Sequence, residues 1–157
     1  DGSGLDYVEY MFSANAGQPA KPLNKVISGG EMSRFMLAVK NITADIENIE
    51  TMIFDEVDTG VSGYVAEELA KKLLTIGINK QVICVSHLSQ VASYATTHYY
   101  INKATNNGKT QTYIKCLGEA DHINEIARLI GGTISSHSVE HAKFMINSRN
   151  EFIKTLK

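Results

Sequence analysis

The sequence predicts an α/β fold, a mainly parallel central sheet flanked by helices. Three observations carry that expectation. Thr51-Met52-Ile53-Phe54 and Gln81-Val82-Ile83-Cys84-Val85 are short apolar runs, the pattern of strands covered on both faces. Around them, apolar residues recur at steps of three and four, the helical period. A chain of 157 residues with 43% hydrophobic content can bury one core, so residues 1–157 read as a single domain.

Residues 5–12 alternate acidic and apolar side chains, which predicts a half-buried strand. A sequence that opens on Asp1, with its first methionine at Met11, reads as a piece of a longer polypeptide. Residues 15–24 hold Gly17, Pro19 and Pro22 and are expected to form a loop. After Ser28-Gly29-Gly30, the side chains of Met32, Phe35, Met36, Val39, Ile42 and Ile46 fall on one face of a helix. The first buried strand follows and delivers Asp55-Glu56 at its end. Val65, Leu69 and Leu73 mark the next helix, with Ser62 as its N-cap. The second buried strand then ends in Ser86-His87.

Strands are expected near 97–102 and 111–117, with Asn107-Gly108 turning a β-hairpin between them. Ile123, Ile126, Ala127 and Ile130 define a helix stopped by Gly131-Gly132, and Val139, Ala142, Met145 and Ile146 define a last one.

Composition narrows the function. Fifteen Lys and Arg against seventeen Asp and Glu leave a formal charge of −2, so no bulk basic surface is available for nucleic acid. Cys84 and Cys116 form no CxxC pair, which argues against a disulfide framework or structural zinc and suits a reducing cytoplasm. No apolar run approaches the ~18 residues of a membrane helix, and no membrane partner is expected.

In open α/β sheets, ligand-contacting residues gather at the carboxyl ends of strands. An apolar strand ending in Asp55-Glu56 fits a magnesium–nucleotide site: one carboxylate is a hard oxygen ligand, and the other can deprotonate a water aimed at a phosphate. The same pair also fits a solvated strand exit with Asp58 capping the next helix. His87, at the second strand end, can donate to a phosphate oxygen or orient water, or be an ordinary surface histidine. Ser28-Gly29-Gly30-Glu31 opens a helix with free amides and close backbone approach, a phosphate cradle. It also satisfies the capping box, and both readings can hold together.

In combination these three features carry more. Ile27-Ser28-Gly29-Gly30-Glu31-Met32-Ser33-Arg34 resembles the signature motif of ABC-type ATPases, and Met52-Ile53-Phe54-Asp55-Glu56 resembles their Walker B strand. Val57-Asp58-Thr59-Gly60 stands where the D-loop follows, and His87 where the switch histidine belongs. Residues 25–34, Phe54-Asp55-Glu56-Val57-Asp58-Thr59-Gly60, Ser86-His87-Leu88-Ser89-Gln90-Val91-Ala92 and Glu125-Ile126-Ala127-Arg128-Leu129-Ile130-Gly131-Gly132 are similar to the RecN family of bacterial DNA repair proteins, within the ABC/SMC-type P-loop NTPases.

The resemblance implies the C-terminal lobe of an ATPase head, its Walker A half and coiled coil lying upstream. It implies ATP and Mg2+ as cofactors, with Asp55 on the metal, Glu56 as catalytic base and His87 at the γ-phosphate. Ser28, Gly29, Gly30 and Glu31 would serve the nucleotide of a second head in trans, and Asp58 would lie at the seam of that ATP-sandwiched homodimer. The partners implied are the N-terminal half of the same head, a second head, and DNA through the full-length protein, in the cytoplasm at the nucleoid.

Gly108-Lys109-Thr110 imitates the end of a P-loop, but Lys103 stands where its first glycine is required and the flanks read as hairpin. A P-loop is thus missing from these residues, and the stretch alone is expected to be inactive. Two alternatives remain open from sequence: a transporter ATP-binding subunit, and a non-catalytic interaction module. His137 and His141 have metal-compatible spacing without a third ligand and read as a helix surface.

Overall fold

A computed structural model of the chain describes residues 4–13, 16–43, 46, 48–106 and 108–156. Asp1, Asn15 and Asn107, which enter the expectations above, lie outside the described residues. The molecule is mixed α/β. In chain order it runs β1 (Met11–Phe12), β2 (Lys21–Pro22), α1 (Leu23–Val26), α2 (Gly29–Thr43), β3 (Thr51–Phe54) and α3 (Gly63–Ile76). There follow β4 (Gln81–Cys84), α4 (Ser89–Ala92), β5 (Tyr99–Asn106), β6 (Lys109–Cys116), α5 (Glu119–Gly131) and α6 (Ser136–Thr155).

The two apolar runs pair parallel and in register, Thr51 opposite Gln81 through Phe54 opposite Cys84. That is the βαβ unit the sequence predicts, with α3 as its crossover. The parallel sheet is narrower than expected, however. Among the described residues it has two strands, and the other strands form two separate antiparallel pairs, β1–β2 and β5–β6. Nor is β3 covered on both faces: Met52 and Phe54 are buried while Ile53 is 70% exposed. A strand that is apolar on both faces but covered on one has room for a further layer.

The helices follow the same logic. Leu69, Ala70, Leu73 and Ile76 of α3 pack with Met52, Phe54, Val57, Leu37, Val91 and Tyr94 into the main core. Val65, expected on that face, is exposed. Ser62 precedes α3 in extended backbone, but its side chain makes no cap bond. On α2 only Gly30 and Leu37 are buried. Met36 and Ile42 of the predicted stripe are exposed, and Ile46 lies past the helix end at Thr43 and is itself exposed.

A second core joins α5 and α6 through Ile126, Ala127 and Ala142, with Ala92 of α4. Gly132 closes α5 at φ 72°, the left-handed stop that a glycine takes without strain. Ser135 and Ser138 form a reciprocal capping box at the start of α6.

Two local expectations are corrected. The predicted strand over 5–12 shortens to Met11–Phe12, because Leu5, Tyr7 and Val8 are exposed with nothing to pack on. The predicted loop over 15–24 instead contains β2 and the start of α1. The β-hairpin is longer than read, but its pairing, from Tyr99 opposite Cys116 to Asn106 opposite Lys109, agrees with the sequence. Lys109 opens β6, so the P-loop imitation is hairpin.

Candidate nucleotide site

The site is built where β3 and β4 end side by side. Val85 N–H donates to the Phe54 carbonyl at 2.9 Å, extending the ladder one step and placing Asp55-Glu56 beside Ser86-His87. Asp55 and Glu56 are exposed, whereas Val57 and Asp58 are buried within the next turn. Glu56 sits at φ 55°, in the left-handed region that non-glycine residues rarely adopt. Such local strain concentrates at functional positions.

Asp58 is the hub. It is 2% exposed, and its Oδ2 accepts from Ser86 Oγ at 2.6 Å and from the His87 backbone N–H at 3.2 Å. His87 Nδ1 stands 3.5 Å from the same oxygen, although its ring is largely exposed. Ser86 Oγ in turn accepts from Leu88 N–H at 3.1 Å, at the entrance to α4. Asp58 therefore caps no helix: it ties the turn after β3 to the loop after β4. Cys84, at the end of β4, has its thiol pushed up to about 12 by burial first and then by the Asp58 and Asp55 carboxylates, so it is a protonated core residue.

The start of α2 closes the third side. Ser28 and Glu31 form the expected capping box: Ser28 N–H and Oγ donate to Glu31 Oε2 at 2.9 and 2.8 Å, and Glu31 N–H donates to Ser28 Oγ at 3.4 Å. These bonds from Ser28 hold the Glu31 carboxyl below its usual range, with Arg34 adding a smaller pull. A Cβ added to Gly30 would lie 2.8 Å from the Thr59 carbonyl oxygen and 2.9 Å from Thr59 Cβ, so only glycine fits that helix against that turn. A Cβ on Gly29 would come 3.5 Å from Glu56 Oε2.

Sequence reasoning assigned no role to Ser33 or Arg34. Ser33 Oγ donates to the Asp55 carbonyl at 3.1 Å, and Arg34 Nη1 donates to the Thr59 and Val57 carbonyls at 2.6 and 3.4 Å. Their signal was helical phase: Arg34 stands one turn after Gly30 and shares its face. The structure thus joins every predicted site residue in one junction: Ser28 just before α2 and Gly29 to Glu31 in its first turn, Asp55 to Asp58 after β3, and His87 after β4. His137 and His141 are exposed and far from it in the chain, and no cluster of three metal-ligating side chains occurs among the described residues.

The donor set suits magnesium none the less. Mg2+ keeps several waters and binds through one or two carboxylates plus substrate phosphates. Asp55 offers an exposed carboxylate, whereas that of Asp58 is already occupied by Ser86 and His87.

Comparison with known proteins then bears on what this junction serves. The chain is 47% identical over 146 residues to the DNA repair protein RecN of Halalkalibacterium halodurans, which covers 92% of this chain. It is 44% identical over 153 residues to RecN of Bacillus subtilis and 42% identical over 144 residues to RecN of Vibrio cholerae. The chain is a RecN-like segment. It spans about a quarter of the length of these RecN relatives, 26% of each. None of these RecN matches is a transporter component, so the transporter alternative has no support. A solved chain from work on ATP-driven dimerization and DNA-stimulated activation of SMC ATPases superposes with TM-score 0.49 at 16% identity, over 73% of this chain and 68% of that one, too distant to add to the RecN match. No family model matches the sequence.

Proposed function

We propose that the chain is the C-terminal part of a RecN-like ATPase head that acts in DNA double-strand-break repair, and that its junction is one half of a composite ATP site. The observation that carries this reading is the buried Asp58 carboxylate, which binds the Glu56 turn to the His87 loop while α2 packs its glycines on the same turn. A mere strand exit needs no such convergence of three segments.

In this reading Asp55 holds Mg2+, which when bound neutralises charge on the phosphates. Glu56 takes the proton of the attacking water, from a turn whose backbone is left-handed at that residue. His87, held through its backbone amide and Nδ1 side by Asp58, presents its exposed ring edge to the γ-phosphate. Ser28, Gly29 and Gly30 offer the opening of α2 to the nucleotide of a second head, with Glu31 fixing the Ser28 hydroxyl until phosphate competes for it. The P-loop comes from the N-terminal half of the same head. Head closure on ATP then drives movement on DNA in the whole protein, in the cytoplasm. Among the described residues no helix is long and apolar enough to cross a membrane.

The test is turnover in the head assembled with its upstream half. Glu56→Gln is expected to lower kcat by roughly 10²–10⁴-fold, the usual contribution of a general base, with little change in ATP affinity. Unchanged kcat in that variant would remove Glu56 from the chemistry.

A further inference from the structure

Outside this junction, a cleft of about 500 Å³ opens between the root of the β5–β6 hairpin, the start of α5 and the middle of α6. Lys143, Arg149, His98 and His122 line it, against the single carboxylate of Glu119, although the chain as a whole is net negative. We propose that this cleft binds a small phosphate-bearing ligand.

Three features converge on that ligand. The first is the helix start: α5 begins at the cleft wall, its N-cap Gly118 supplies no side-chain acceptor, and its first amides carry the positive end of the helix dipole. The second is Arg149, half-buried, whose Nη1 donates to the Ala95 carbonyl at 2.7 Å while Nε and Nη2 donate to Asn150 Oδ1 at 3.1 and 2.9 Å. These bonds fix the guanidinium and use three of its five N–H groups. The third is independent of both. His122 is 91% buried by its 9% exposure, and its Nε2 has no hydrogen-bond partner. Its Nδ1 is engaged with His98 Nδ1 at 2.8 Å. A buried polar atom left unpaired is rare in native proteins and asks for a reason.

Phosphate suits the set because it accepts several hydrogen bonds at once and complements a cation, a helix start and an imidazole together. Burial, with smaller contributions from His98 and Arg149, lowers the His122 pKa to about 4, so the imidazole is neutral near pH 7 and gains a proton more readily once an anion sits beside it.

The test is an NMR titration of the intact chain in Tris buffer, following the ring protons of His98 and His122. Inorganic phosphate and a nucleoside monophosphate are the probes, with chloride at matched ionic strength as the control. Saturable shifts with either probe are expected, and a response to both marks the terminal phosphate as the recognised group. Lys143→Gln changes an exposed side chain and should weaken binding about tenfold without altering the fold. Arg149→Gln should weaken it further where circular dichroism shows the helices intact. Shifts no larger than with chloride, undiminished affinity in Lys143→Gln, or a response to an oligonucleotide with none to either small phosphate would each overturn the proposal.

Discussion

At Gly30 a single hydrogen atom decides how α2 meets the turn after β3. Gly30→Ala places a Cβ 2.8 Å from a backbone oxygen that cannot swing away, and is expected to cost about 1–3 kcal/mol in urea unfolding. Asp58→Ala leaves the Ser86 hydroxyl and the His87 amide without their acceptor, and about 1–3 kcal/mol per orphaned group sets the expected loss. Glu56 behaves oppositely. Its left-handed backbone costs a non-glycine residue about 1–2 kcal/mol, so Glu56→Gly should raise stability by up to about 1 kcal/mol while Glu56→Ala should not. The sequence motifs pointed to all three residues by type and spacing, Asp58 as the D-loop acid. The burial of Asp58 was not legible: its bonds reach 28 and 29 residues along the chain to the far side of a βαβ unit, and no local pattern records that pairing.

At the scale of elements, the long helices, the parallel pair and the hairpin were legible, whereas the two-residue β2 and the four-residue α4 are too short to show a period. Helix α3 packs its Leu69 and Leu73 against the parallel pair, as their period suggests, although Ser62 makes no cap bond. Residues 5–12 alternate correctly for a strand, but alternation describes a face and not its partner, and Tyr7 is 90% exposed. Helix α5 offers a pH test. Unfolded His122 takes its proton near the ordinary value of 6.5, whereas the folded imidazole resists it down to about 4. Between those values the unfolded chain binds more protons, so stability falls as pH drops through that window. His98, whose pKa burial also lowers, adds in the same direction. Urea midpoints measured from pH 7 to pH 4 should decline, and the decline should flatten in His122→Asn.

Across the whole molecule, one side is dense and the other is bare. Met36, Ile53, Ile83 and Val85 leave an exposed apolar surface on α2 and the parallel pair, and β4 and β5 belong to different sheets. Exposed apolar surface of this kind marks a covered face in a larger assembly. In the proposed head the cover is the upstream half, which also brings the P-loop. In that reading the chain supplies a base, a metal carboxylate and a switch histidine, and the upstream half supplies the P-loop that grips the β and γ phosphates. The most direct measurement is ATP turnover by three proteins: this chain alone, the chain joined to the upstream half, and the joined protein carrying Glu56→Gln. A composite site predicts hydrolysis by the second only. Turnover by the 157-residue chain alone, lost on Glu56→Gln, would contradict it.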